Sequence, residues 1–155
     1  MLTINNENEK RNAELNVNQI NGSITQLLSQ RTSLEGWLKY LDREMAQIDE
    51  VLRQTDFAQT YLKDAKNCIV SAHDSLEENY DGTKAKQLLN DLQECADHIE
   101  DNVEEIIKRI GIEKTCFEFD KRNTKENIKR IDEQIKQAQA QARTIIDAIK
   151  QFMNL

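Results

Sequence analysis

Apolar residues in the first half of the chain recur at alternating spacings of four and three: Ile20, Ile24, Leu27, then Leu34, Leu38, Leu41, Met45, Ile48 and Leu52. That spacing keeps one side of an α-helix apolar over many turns and predicts a heptad seam. Arg31 interrupts the run, and beyond Thr55 it resumes one residue out of phase at Ala58, Leu62, Ala65, Ile69, Ala72 and Leu76. A slip of one residue predicts a local change of supercoil or a break. The second half repeats the theme with Leu89, Leu92, Ala96, Ile99, Val103, Ile106, Ile110 and Phe117, then Ile128, Ile131, Ile135, Ala138, Ala142, Ile145, Ile149 and Phe152. Between the two arms the pattern lapses, Gly82 suits a chain reversal, and Thr83 suits a helix cap.

These signals predict an all-α fold, a long antiparallel, coiled-coil-like helical hairpin with helix 1 over residues 17–78, a turn at 79–83 and helix 2 over 84–152. Breaks near Thr55 and Gly111, which stand at similar distances from the turn, would instead give a compact four-helix bundle. Residues 16–155 form one helical domain in this reading, and residues 1–15, rich in Asn and Glu, are expected to be disordered. A turn near residue 81 places opposite one another residues whose numbers sum to about 163.

Composition narrows the picture. The 155 residues include no proline and only four glycines, and 32% are charged. A hydrophobic fraction of 38% lies below the roughly 45–50% of globular domains, so the expected core is a thin seam. The formal charge of −7 argues against nucleic acid as a partner, because phosphate recognition needs a basic footprint. That charge is uneven: residues 74–120 carry 5 basic and 14 acidic groups, residues 121–155 carry 8 and 4. No apolar run approaches the ~18 residues of a membrane span, so no membrane insertion is expected. The N-terminus lacks the basic and apolar regions of a signal peptide, and three cysteines fit a reducing compartment; the expected location is cytoplasmic.

Little chemistry is expected. The hairpin register brings Cys68 near Cys95, and Cys95 and His98 share a helical face, so with Asp64 they are a candidate zinc set. The same cysteines adjoin the seam residues Ile69 and Ala96, where Cys serves as a small apolar filler; packing is the favoured reading over a metal or a disulfide. His73 reads as a surface residue. No glycine-rich phosphate loop occurs, the carboxylates recur on polar helical faces, and two helices offer no deep cleft, so neither catalysis nor a cofactor is expected. The apolar surplus is more informative: Trp37, Val51, Tyr61, Val70, Leu88, Ile107, Ile112, Phe119 and Ile146 fall outside the predicted seam. Widened stripes call for a further helical surface, supplied by a partner or by a homodimer. Trp37, with Leu34, Leu38 and Leu41, is the candidate partner interface, because aromatic anchors dominate interface energetics.

The segment Leu76-Glu77-Glu78-Asn79-Tyr80-Asp81-Gly82-Thr83-Lys84-Ala85 resembles the Trp-x-Gly turn of WXG100-like hairpins of type VII secretion. It is more similar to the YwqH-like helical proteins encoded beside LXG toxins, in which an aromatic-x-Gly-Thr-Lys-Ala turn joins two long helices; Tyr80 stands where that family usually has Trp. The turn motif is Tyr80, Asp81 and Gly82. The resemblance implies a targeting factor or chaperone that binds the helical N-terminal LXG region of a toxin for type VIIb secretion and is co-exported with it or stays behind. Related hairpins carry a Tyr-x-x-x-Asp/Glu signal after the second helix. Here Tyr40-Leu41-Asp42-Arg43-Glu44 has the letters but lies on the first helix, so a second small helical targeting protein is expected to supply the signal.

Overall fold

A computed structural model describes residues 3–79 and 82–154. The chain is an all-α helical hairpin of two helices packed on one another, α1 (Glu7–Asn79) and α2 (Thr83–Met153), with no strand among the described residues. Its contacts fall into two compact units. Unit 1 joins Met1–Leu41 to Phe119–Leu155, and unit 2 is Asp42–Glu118. Each unit pairs a stretch of α1 with an antiparallel stretch of α2.

α1 begins at Glu7, inside the segment read as disordered. Asn6 caps it: the Glu9 amide donates to Asn6 Oδ1 at 2.9 Å, and Glu9 Oε2 accepts from the Asn5 amide at 2.8 Å. These two bonds satisfy amides that a helix start leaves orphaned. Ile4, just upstream, is buried with Ala148 and Ile149, and Ala13, Val17, Ile145 and Phe152 pack around them. Polar composition hid a cap and an anchor.

The breaks that a four-helix bundle would need do not occur. α1 runs through Thr55, whose hydroxyl donates to the Leu52 carbonyl at 2.7 Å, and α2 runs through Gly111, whose carbonyl accepts from Thr115 Oγ1 at 3.0 Å. A hydroxyl that folds back onto its own helix shares a carbonyl with the backbone ladder, a small cost that bends a helix more readily than it breaks one. Tyr80 and Asp81 lie outside the described residues. Gly82 is half-buried, and its carbonyl accepts from the Lys86 amide at 3.2 Å, so Gly82 and not Thr83 holds the cap position of α2.

The seam differs from the sequence pattern in one respect. In unit 1 the shielded positions on α1 include Ile20, Ile24, Leu27, Arg31, Leu34, Leu38 and Leu41, so Arg31 sits within the seam and does not end it. In unit 2 they include Met45, Ile48, Leu52, Thr55, Gln59, Leu62, Lys66, Ile69, His73 and Leu76. The four–three spacing is unbroken and no phase slip follows Thr55. Ala58, Ala65 and Ala72 are exposed, and Gln59, Lys66 and His73 take the seam positions. A continuous helix cannot rotate its stripe by one residue without an irregularity, so it keeps its phase and accepts polar side chains. On α2 of unit 2 the same exchange occurs: Leu89, Ala96, Val103 and Ile110 are shielded, but Gln93, Glu100 and Ile107 replace the predicted Leu92, Ile99 and Ile106.

Three ion pairs fix the register. Arg31 Nε meets Asp132 Oδ1 at 2.7 Å in unit 1; in unit 2 Lys114 Nζ meets Asp49 Oδ1 at 2.6 Å and Lys66 Nζ meets Asp97 Oδ1 at 2.7 Å. The residue numbers of each pair sum to 163.

Candidate protein-binding surface

Within an antiparallel pair of right-handed helices, residues one position before the seam on both helices flank the same side of the pair, and those one position after flank the other. The two sides of unit 2 differ sharply. One position before the α1 seam stand Val51, Ala58, Tyr61, Ala65, Cys68 and Ala72, with Glu44, Gln47, Gln54 and Ser75 among them; one position before the α2 seam stand Leu88, Leu92, Cys95, Ile99 and Ile106, with Asn102, Arg109 and Glu113 among them. The apolar ones are all exposed, Tyr61 by 73% and Leu88 by 60%. The opposite side carries Asp56, Lys63, Asn90, Asp97 and Glu104, with Val70 as its one large aliphatic residue.

The polar seam explains why apolar side chains are left outside. Lys66 is half-buried between the helices, its stem in the seam and its ammonium shared by Asp97 at 2.7 Å and Glu100 at 2.5 Å. Donating hydrogen bonds to the carboxylates of Asp97 and Glu100 holds the Lys66 ammonium well above its ordinary 10.5, and accepting from Lys66 lowers the Asp97 carboxyl below its ordinary 3.8. Further toward the turn, His73 Nδ1 lies 3.7 Å from Glu77 Oε1 and lines a shallow groove with Ile69, Val70, Leu89, Asn90 and Gln93. His73 is therefore a seam residue and not a free surface group.

In unit 1, Trp37 is 46% exposed and stacks on Tyr40, with ring centroids 5.0 Å apart and planes inclined by 22°. Its three predicted companions belong to the seam: Leu41 is fully buried, and Leu34 and Leu38 are half-buried. Leu34 also borders an open groove with Ser29, Ser33, Asn127, Arg130 and Ile131. Of the four, Trp37 alone offers a partner a large surface.

Cys68, Cys95 and Cys116 are free and exposed, so the cysteines do not fill gaps in the seam as the sequence suggested. Among the described residues no three His, Cys, Asp or Glu side chains converge on a metal-sized site, and Cys68, Cys95, His98 and Asp64 do not form one. No helix among the described residues is long and apolar enough to cross a membrane. Against known proteins, no family model, no curated protein and no solved structure matches the chain.

The exposed stripe of unit 2 could have been found in the sequence. Carrying the phase of Leu52 onward without a slip puts Gln59, Lys66 and His73 in the seam and leaves the alanines beside it. Apolar content alone favoured the alanines.

Proposed function

We propose that this chain is a non-enzymatic targeting factor that binds the helical N-terminal LXG region of a toxin for type VIIb secretion. The observation that carries the reading is the stacked Trp37–Tyr40 pair, a large rigid aromatic surface left open on a helical pair. Two stacked rings ordered before binding lose little entropy on docking, which suits a hot spot for helix-on-helix recognition. The resemblance of the turn residues Tyr80, Asp81 and Gly82 to those of YwqH-like proteins supports this reading, in which a second small helical protein supplies the export signal. The protein then acts in the cytoplasm and either leaves with its cargo or remains.

Co-purification tests this. The full chain is expected to retain the toxin's N-terminal region and not its C-terminal region; capture of the C-terminal region alone would indicate an immunity protein. Trp37→Asp should weaken the complex by about tenfold or more, in line with loss of an aromatic anchor. A self-associating structural coiled coil is the competing reading, drawn from the same uncovered side chains, and a stable homodimer that ignores the toxin would establish it.

A further inference from the structure

One side of unit 2 carries no charge over most of its length. Between Gln47 and Ser75 on α1, and between Leu88 and Ile106 on α2, the positions just before the seam hold no Asp, Glu, Lys or Arg, although 32% of the chain is charged. The stripe ends, away from the turn, at Glu44, Arg109 and Glu113. The acidic excess stands on the other side, with Asp56, Asp74, Glu94, Asp101 and Glu104. The uncharged side also has relief. In the register fixed by Lys66–Asp97 and Asp49–Lys114, Ala58, Ala65 and Ala72 of α1 lie level with Ile106, Ile99 and Leu92 of α2. Small side chains make a trough along one helix, and branched ones make a ridge along the other. We propose that this side pairs with the same side of a second copy, about a two-fold axis parallel to the helices, so that the ridge of each copy lies in the trough of the other.

Symmetry, charge and area support this occupant. A two-fold axis along the helices keeps every residue at its own height and sets α1 of one copy antiparallel on α2 of the other. The residues that stand level within one copy therefore meet between copies: Ala65 meets Ile99 of the second copy, Tyr61 meets Asn102, and Cys68 meets Cys95 at the outer edge. Alanine against Ile or Leu lets the helices approach toward the short end of the ~8–10 Å interaxial range without voids. An axis across the helices would instead set ridge on ridge and alanine on alanine, leaving a gap along α1. With the axis along the helices, the acidic sides point away from one another. Two helix layers hold them on the order of 20 Å apart, beyond the ~8 Å screening length at physiological salt. A charged partner, basic or acidic, finds no counter-charge within the stripe. Val51, Tyr61, Leu88, Leu92, Ile99 and Ile106 are 42–73% exposed. They offer on the order of 600 Å2, and the exposed alanines and cysteines between them bring this side to the ~800 Å2 per partner of a standard interface.

This goes beyond the toxin reading and does not rest on it, because Trp37 belongs to unit 1. Sedimentation velocity of the full chain should show a dimer at about 10 μM, and raising the salt should not dissociate it, since the buried side is uncharged. Ile99→Asp sets a carboxylate in the trough twice per dimer and should weaken association about tenfold or more, whereas Val70→Asp, on the acidic side, should leave it nearly unchanged. Cross-linking reads the geometry with the aliphatic residues left in place. A short bis-maleimide should join Cys68 of one copy to Cys95 of the other. In a Cys116→Ser background, the Cys68→Ser and Cys95→Ser variants should each resist cross-linking alone and form a covalent dimer when mixed; this readout decides should Ile99→Asp fail to fold. A chain that stays monomeric at about 100 μM would overturn the inference and leave the stripe to another protein. A dimer that salt dissociates, a dimer indifferent to Ile99→Asp, a mixture that does not cross-link, or a covalent dimer from either single-cysteine variant alone would overturn it too. A monomer that captures the toxin region overturns this inference alone; a dimer that captures none overturns only the toxin reading.

Discussion

Lys66 of α1 reaches across the seam of unit 2 to Asp97 of α2, with Nζ and Oδ1 2.7 Å apart, from a position where a coiled coil ordinarily places an aliphatic side chain. Both carboxylate partners are about half exposed, so solvent screens the pair and it contributes more to register than to stability. Lys66→Met fills the same seam position with apolar volume, and the expected melting temperature is at least that of the wild-type chain. Lys66→Glu, which sets three carboxylates together, should lower it. Thermal melts followed by circular dichroism check both.

The same pair gives a pH dependence. The Asp97 carboxyl is lowered below 3.8 by its bond to Lys66, so its contribution is present above pH 3.8 and is lost as pH falls through the lowered folded value. Hydrogen bonds to carboxylates raise Lys66 and Lys114 above 10.5, so their contributions are present below pH 10.5 and are lost as pH rises through the raised folded values. Stability from these groups should be flat between those limits. Asp97→Asn should flatten part of the acid limb by lowering the neutral plateau by the small amount this exposed pair contributes there, read from melting temperature against pH.

Leu41 and Trp37 are four residues apart and should respond in opposite ways. Leu41 is fully buried, and Leu41→Ala is expected to cost about 2–5 kcal/mol, lowering the melting temperature by ~2–4 °C for each kcal/mol in a chain of this size. Trp37→Ala removes a half-exposed ring stacked on Tyr40 and should cost about 1 kcal/mol or less while weakening partner binding. Denaturant titration beside a binding assay separates the two effects.

How much was legible in the sequence follows from comparable residues. The register was: facing residues were expected to sum to about 163, and the ion pairs Arg31–Asp132, Asp49–Lys114 and Lys66–Asp97 all obey that rule. The seam was legible wherever a position admits one reading, as at Leu62, Ile69 and Leu76. It was misread at Ala65 against Lys66, because hydropathy scores Lys as surface although its methylene stem packs well between helices. Residues 1–15 were misread because Asn6 and Glu9 act through backbone amides, which a count of polar residues does not register. The periodicity placed Trp37 outside the seam, in keeping with its 46% exposure, but its stacking on Tyr40 required the fold.

Thr124 is the buried polar side chain of the described core, 5% exposed, and its hydroxyl donates to the Asp120 carbonyl at 2.8 Å. That acceptor lies on its own helix and already serves the backbone, so Thr124→Val removes a bond without orphaning a partner. Stability is expected to stay within about 1 kcal/mol of wild type. Chemical denaturation gives the answer directly.

Cys68, Cys95 and Cys116 should all react with a soluble thiol reagent in the folded protein, without denaturant. Addition of zinc is expected to leave their labelling rates unchanged, since no third ligand converges on Cys68 and Cys95. A thiol that reacts only on unfolding would contradict its exposure.

The register also orders the route by which the chain reaches this fold. Lys66 and Glu100 are separated by 34 residues, Lys114 and Asp49 by 65, and Arg31 and Asp132 by 101. Each doubling of a closed loop adds only about 0.6 kcal/mol of entropy, but that increment recurs at every step away from the turn until earlier contacts shorten the remaining loop. On loop-closure entropy alone, pairing is expected to spread outward from Leu76 and Leu89 beside the turn, through the polar stretch of the seam at Lys66, with the cluster of Ile4, Ile149 and Phe152 closing last, an order that pulsed hydrogen exchange during refolding would read.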